Sequence, residues 1–228
     1  MTAGNVKGIG AIPLQTRREL ILTRVREAIS SGELPPGTHL AEVELSEALG
    51  VSRGTLREAL RHLQQEGLLS VDTRGRLSVR VVTVKEVGEI FSVRCAIESL
   101  AFKEICASPD RPAIVADLTR QLEKLRAAEG DFTAQLEADL AFHERMCELS
   151  GNATLLYTWH TVSGLARAAI TAAGPETALH NMAYDRHRPI VDLIEAGDVA
   201  AGATFLDGHM SDAAERVIAR MSQAAKTA

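Results

Sequence analysis

No apolar run in this chain approaches the ~18 residues that a membrane-spanning helix needs. The start, "MTAGNVKGIGAIP", lacks the basic flank and continuous apolar stretch of a secretory leader. Cysteine is scarce: Cys95, Cys106 and Cys147 make an odd number with no Cys-x-x-Cys pair. That argues against a disulfide framework or a thiolate zinc site and leaves them as small buried hydrophobes. A Gly-x-Ser-x-Gly elbow is absent, and "GIGAIP" fails the dinucleotide fingerprint at its last position. "HERMC" opens like the metalloprotease motif His-Glu-x-x-His but puts Cys147 where the second ligand would stand. These absences set aside common hydrolase and dehydrogenase signatures and lead us to expect a cytoplasmic protein with no membrane partner.

What is present is an ordinary apolar fraction, 46%, in 228 residues, enough for one large domain or two modest ones. The net charge of -5 hides an asymmetry. Residues 1–82 hold 11 Lys/Arg against 9 Asp/Glu, whereas residues 83–228 hold 14 against 21. A polyanion would be drawn to the first part and repelled by the second.

The chain divides where the pattern changes. Thr16-Arg17-Arg18-Glu19 fits a capping box, after which Leu20, Ile21, Val25, Ala28 and Ile29 recur at helical spacing. "LPPGTHL" must turn, a short helix follows in "AEVELSEALG", and Ser52 can cap a third helix from Arg53 to about Glu66. "LLSVDTRGRLSVRVV" then places β-branched residues around a Thr-Arg-Gly-Arg tip, which reads as a hairpin. The sum is a winged helix-turn-helix over 1–82. A second capping box, Thr83-Val84-Lys85-Glu86, opens an all-helical part over 83–228. Helices are expected there at roughly 84–107, 112–129, 132–149, 153–172, 177–196 and 199–222, packed as an antiparallel bundle.

The third helix explains the basic half. Leu56, Ala59, Leu60 and Leu63 share one face, while Arg53, Arg57 and Arg61 form a stripe roughly 110° away beside Gln64. A guanidinium pairs with phosphate, or bidentately with guanine in the major groove of double-stranded DNA. Gly54 and Thr55 are small enough to let the helix start approach a duplex. A solvated charged face is the bland alternative; the preceding helix, the Gly-Val-Ser corner and the hairpin argue against it. "LPPGTHLAEVELSEALGVSRGTLREALRHLQQEGLL" resembles the DNA-binding domain of the GntR family of bacterial transcription regulators, and "SRGTLREAL" matches its core pattern. The resemblance implies that Arg53, Thr55 and Arg57 touch the operator and that Arg74-Gly75 is the wing tip in the minor groove. Several relatives carry a basic residue in the segment before the turn; Val43 stands there here, and no contact is assigned to it.

The acidic half holds a second constellation. Asp139 and His143 lie four apart on one helix face. Counted from Gly197, His187 is 10 residues back and His209 is 12 forward. Those are about 15 and 18 Å along an antiparallel hairpin, so the two imidazoles come level. One carboxylate and three imidazoles suit zinc, or manganese, nickel or iron. Each residue alone is more often a solvated or satisfied side chain, and Pro189 sits close to His187. "VGEIFSVRCAIESLAF", "DLAFHERMCELSGNATL" and "RHRPIVDLIEAGDVAAGATFLDGHM" resemble the helical FCD ligand-binding domain of one GntR branch. That resemblance implies that Asp139, His143, His187 and His209 bind a metal helping to hold a small carboxylate effector. It also places Arg94 where the family often puts a carboxylate-contacting arginine; an intrahelical pair with Glu98 is the competing reading. His160 and Arg167 could also face the pocket.

We therefore expect a mainly α, homodimeric transcription regulator, a repressor in preference to an activator, on a palindromic operator. A metal-dependent hydrolase with a DNA-binding appendage is the alternative, and an architectural DNA-binding protein the third reading.

Overall fold

The computed structural model describes residues 16–227. Thr16 opens α1 (Arg17–Ser30): its Oγ1 accepts from Glu19 N at 3.2 Å, and Glu19 Oε2 accepts from Thr16 N at 2.6 Å. Ile21, Leu22, Val25, Ala28 and Ile29 face inward. Leu20 does not; it is 52% exposed, because it lies about 140° around the helix from the centre of that face, and Leu22 takes its place.

α2 (Glu42–Ala48) and α3 (Arg53–Gln65) follow, joined by a tight corner at Gly50, whose φ of 62° suits glycine. Ser52 caps α3 by accepting from Thr55 N at 3.2 Å. Leu56, Ala59, Leu60 and Leu63 are all buried under it. β1 (Leu69–Val71) and β2 (Leu77–Val79) form the hairpin, and the stretch at 37–40 adds to the free edge of β2 through Gly37 N→Val79 O and Leu40 N→Leu77 O, each 2.9 Å. Three helices and this small sheet form the winged helix-turn-helix.

Among the described residues, seven helices make the rest: α4 (Val84–Ala107), α5 (Arg111–Ala127), α6 (Phe132–Leu149), α7 (Ala153–Ala173), α8 (Pro175–Asn181), α9 (Tyr184–Ala196) and α10 (Val199–Thr227). Thr83 and Glu86 close the capping box of α4, and Arg80 at the base of the wing donates to Glu86 at 2.8 Å. The single helix expected over 177–196 is two. Ala183 is extended (φ -64°, ψ 146°), and α9 starts one residue later. Pro189 lies inside α9, at its sixth residue, where it cannot donate to the Asp185 carbonyl four residues back.

α4 lies at the centre, touching α5, α6, α7, α9 and α10. α10 runs along it so closely that a β-carbon at Gly202 would fall 2.1 Å from Phe102 Cε1, a ring that is itself buried. Gly202→Ala must displace that ring, and overpacking of this kind costs about 1–3 kcal/mol. Urea denaturation of the variant should show a lower midpoint; an unchanged midpoint would mean that the α4–α10 spacing is loose.

Candidate metal centre and nucleic-acid interface

Arg53, Arg57, Arg61 and Gln64 are exposed, on the side of α3 that its packed leucines leave free. Arg57 is already engaged: its Nε donates to Glu42 Oε2 of α2 at 2.6 Å. Among the described residues no acidic partner holds the Arg53, Arg61 or Arg74 side chains. At the wing tip Asp72 Oδ1 accepts from the backbone N–H groups of Arg74 and Arg76 at 2.8 and 2.9 Å, and Oδ2 takes Arg76 Nε. This carboxylate closes the tip around Gly75 (φ 76°) and leaves the Arg74 side chain outward. Val43, where a basic residue was wanting, is 51% exposed on α2. Gly54 lies open on the surface, with only Ser52 Oγ, at 3.8 Å, near its missing β-carbon.

The second constellation lies in the bundle core. Asp139 and His143 come from α6, His187 from α9 and His209 from α10, all at 7% exposure or less. His143, His187 and His209 offer ligand nitrogens that lie within 4.8 Å of one another. His187 Nε2 is 3.1 Å from His143 Nε2 and 3.0 Å from Asp139 Oδ1, and Asp139 Oδ1 is 3.9 Å from His143 Nε2. Ligands held 2.0–2.1 Å from one ion sit about 2.8–3.4 Å apart, so the two short edges match a shared cation.

Proton placement supports the same fit. A carbonyl only accepts, so His187 Nδ1, 3.0 Å from Ala183 O, carries a proton and its Nε2 is the atom turned toward Asp139 and His143. His143 Nδ1 faces Glu98 Oε2 at 2.5 Å, which turns His143 Nε2 toward the centre in the same way. Two imidazole Nε2 atoms and a carboxylate oxygen thus converge, an arrangement that a proton or a metal ion between them would hold. Edge-on contacts with Phe142, 5.4 Å from both the His143 and His187 rings, and the Phe205 ring stacked on His209 fix the ring planes. Among the described residues His209 Nδ1 is buried without a hydrogen-bond partner.

Burial sets the charge states. It pushes His143 below the ordinary histidine value, more than Glu98 raises it, and it pushes His209 well below, helped by the neighbouring imidazoles and Arg186. Burial would raise Glu98, but His143 and Arg94 outweigh it; His187, His143 and Arg94 do the same for Asp139, so both carboxyls stay below the usual range.

Arg94 reaches this site from α4. It is 2% exposed, donates from Nε to Glu98 Oε1 at 3.1 Å and packs its guanidinium 5.3 Å from the Trp159 ring centre and 5.4 Å from Phe91. The intrahelical pair and a place beside the metal-ligand candidates are therefore both real. Arg94, Asp139, His143 and His209 share the wall of a cavity of about 20 Å³, room for a single water. His160 and Arg167 stand elsewhere: they pair with Glu144 and Glu137 in the cleft between α7 and the DNA-binding half. Cys106 and Cys147 are buried as expected, while Cys95 is half-exposed. Sequence reasoning missed Glu98 as the carboxylate behind His143 and Trp159 as the plate against Arg94. The first was legible in the "VRCAIE" stretch; the second carried no signal.

The two depressed histidines are neutral when folded and titrate near ~6.5 when unfolded. Below that value the unfolded chain binds protons that the fold refuses, so stability present above it is lost as pH falls. In chelator, the urea midpoint should hold from pH 8 to 7 and decline below about 6.5. A flat profile down to pH 5 would mean that these imidazoles are charged in the fold. The carboxylates Glu98 and Asp139 add a second loss only below about pH 4.

Comparison with known proteins bears on both sites. Residues 18–79 match the family described as "Bacterial regulatory proteins, gntR family", and residues 89–212 match the FCD domain, a domain known to bind metal. A "Probable D-xylose utilization operon transcriptional repressor" of Paenarthrobacter nicotinovorans is 29% identical over 198 residues, covering 85% of this chain and 87% of its own. The "Gluconate operon transcriptional repressor" of Bacillus licheniformis is 29% identical over 147 residues, 62% of this chain and 58% of its own. A GntR regulator from Rhodococcus sp. RHA1 superposes with a TM-score of 0.72 at 26% identity, over 90% of this chain and 99% of that one. These are regulators that act on DNA, not enzymes, and among the described residues no helix is long and apolar enough to cross a membrane. The chain belongs to the GntR family of bacterial transcription regulators, in the branch that carries an FCD domain.

Proposed function

We propose that this chain is a repressor whose operator affinity responds to a small organic acid bound beside a divalent metal ion. Residues 1–82 form the DNA-binding domain and residues 83–228 the effector-binding and dimerisation domain. The observation that carries the reading is the geometry of the buried centre. Asp139 Oδ1 and the Nε2 atoms of His143 and His187 lie 3.0–3.9 Å apart, His209 brings a further nitrogen from α10, and Arg94 shares the cavity wall beside them. A divalent cation among these donors and a carboxylate against Arg94 would balance each other away from water. Buried charge is costly unless balanced, so the site favours a cation and an anion together.

Asp139, His143, His187 and His209 would hold the ion, zinc by ligand type, with manganese, nickel or iron as alternatives. The ion would supply positive charge and an open position for a carboxylate oxygen. Arg94 would orient the acid, and Glu98 keeps His143 in the tautomer that presents Nε2. Names of relatives support the repressor reading: a xylose-operon repressor and a gluconate-operon repressor both match. A homodimer in the cytoplasm would set two α3 helices on a palindromic operator, with Ser52, Arg53, Gly54, Thr55, Arg57 and Arg61 at the groove and Arg74-Gly75 at its edge.

Three outcomes follow. Metal analysis should find one divalent ion per chain, and His209→Ala should lower occupancy and thermal stability together, since the ion binds only the folded state. Full occupancy in that variant would remove His209 from the ligand set. Arg57→Ala should cost about 1–3 kcal/mol on the cognate operator and far less on a scrambled duplex; equal losses would exclude base readout. For the effector arm Arg94→Lys is the informative change, because Arg94→Ala would leave the buried Glu98 without its guanidinium partner. Lysine keeps the charge but loses the planar fork, so effector-free operator binding should persist while the response to the acid weakens. An unchanged response in Arg94→Lys would take Arg94 out of effector recognition.

A further inference from the structure

Between the DNA-binding half and the bundle lies a polar cleft of about 420 Å³, floored by α6 and α7 and roofed by α1 and the end of α3. Its most telling feature is a glycine. Gly164 of α7 meets the cap of the recognition helix so closely that a β-carbon there would land 1.1 Å from the Glu66 carbonyl oxygen. One residue along on each side the fit repeats: Gly67 (φ 75°) has room for no side chain, because a β-carbon would fall 2.8 Å from Leu165 Cδ2. The end of α3 therefore rests on α7 backbone to backbone, with Leu165 covering the joint. Any rotation or slide of α7 must carry Glu66 with it or open this contact.

α7 also touches the metal-ligand candidates. Trp159 lies five residues before Gly164, about 7.5 Å along the same helix axis. It is fully buried, its ring centre 5.3 Å from the Arg94 guanidinium carbon and 6.1 Å from the His143 ring. Trp159 also lines the interdomain cleft, so this one residue touches both Arg94 and His143 on one hand and the cleft on the other. Among the described residues the indole Nε1 finds no hydrogen-bond partner, so none of them ties the ring to its present setting by a polar contact.

α6 and α7 are held together across the cleft floor. Arg167 makes two bonds to Glu137, one of them 2.8 Å, and His160 Nε2 is 2.7 Å from Glu144 Oε1. Glu137 and Glu144 flank the Asp139–His143 pair on α6, so a shift of that pair reaches α7 by charge as well as by packing. On the roof, Arg26 makes two bonds to Glu66, Nε to Oε2 at 3.1 Å and Nη2 to Oε1, which makes the end of α3 a rigid receiver.

We propose that α7 transmits the state of the site at Arg94 and His143 to the recognition helix, with Trp159 as its input contact and Gly164–Leu165 as its output contact. The inference rests on the metal reading above. It adds a route distinct from α4, which joins the wing directly at Arg80–Glu86. Close-packed contacts of this sort switch between arrangements and do not deform smoothly, so an input of a few tenths of an ångström suffices.

The test uses the full chain, zinc as probe and Trp159, the single tryptophan, as reporter. Zinc uptake, Trp159 emission and affinity for a duplex selected by the protein itself are measured in chelator and after loading. In the unaltered protein, zinc should bind, shift the emission and change operator affinity about 5–150-fold, the range of ordinary allosteric coupling. Gly164→Ala, which wedges the joint open, and Leu165→Ala, which empties it without adding volume, should both keep uptake and the emission shift. Their operator affinity should change less than about twofold on loading, well under that range. Variants that retain the full fold-change overturn the proposal, as does uptake by the unaltered protein with no emission shift or no change in operator affinity. Failure of the unaltered protein to take up zinc is a different result: it removes the metal reading, and this inference with it.

Discussion

Arg94 and Glu98 lie one turn apart on α4, the helix that touches five others, and neither reaches water. A buried ion pair of this kind stabilises little by itself, and replacing it with apolar residues is often neutral or favourable. Its presence at the centre of the bundle is better understood from what it supports. Glu98 faces His143 at 2.5 Å, His143 aligns with His187 at 3.1 Å, and His187 meets Asp139 at 3.0 Å. The chain Arg94–Glu98–His143–His187–Asp139 links α4, α6 and α9, and His209 closes it from α10. Four helices are thus positioned by one polar network, and the apolar core fits around it.

Much of this was legible before any coordinates. Capping boxes at Thr16 and Thr83, the Ser52 cap and the leucine face of α3 are local signals, set by hydrogen-bonding geometry and the period of the helix. The levelled His187 and His209 followed from rise per residue and a turn at Gly197, whose φ of 71° ends α9. The break at Ala183 was not legible, because 177–196 is periodic throughout. His160 and Arg167 show another limit. Each lies on a helix that also bears core residues, and spacing alone does not say which neighbour that face meets. Trp159 and Gly164 were invisible for a related reason: an aromatic and a small residue inside a helix acquire meaning only from what packs against them.

The cavity beside Arg94 is small, and this has consequences for how an acid could act. A site that already fitted its effector would bind it with little rearrangement, and the ligand would then have little differential affinity between two arrangements of the protein. A space of about 20 Å³ admits water and not an organic acid. An acid must displace the walls, and the walls are α4, α6, α7, α8 and α10. Binding energy is then spent on moving the helices that reach the DNA-binding half, which is the condition for an effector to change operator affinity at all.

Charge distribution makes such a displacement consequential at the other end. The bundle is strongly acidic while the first 82 residues carry a small positive excess, so a duplex is attracted only by the winged domain and repelled by what lies behind it. On the proposed reading, two paired winged domains would gain affinity from phosphate contacts only if both α3 helices entered the groove at the spacing of the half-sites. A change in that spacing would take the α3 arginines out of reach of the duplex while the acidic bundles still repel it. A contact as tight as Gly164 against Glu66 is suited to this task, since rigidity at the joint turns a small helix shift into a large difference in how two helices meet one operator.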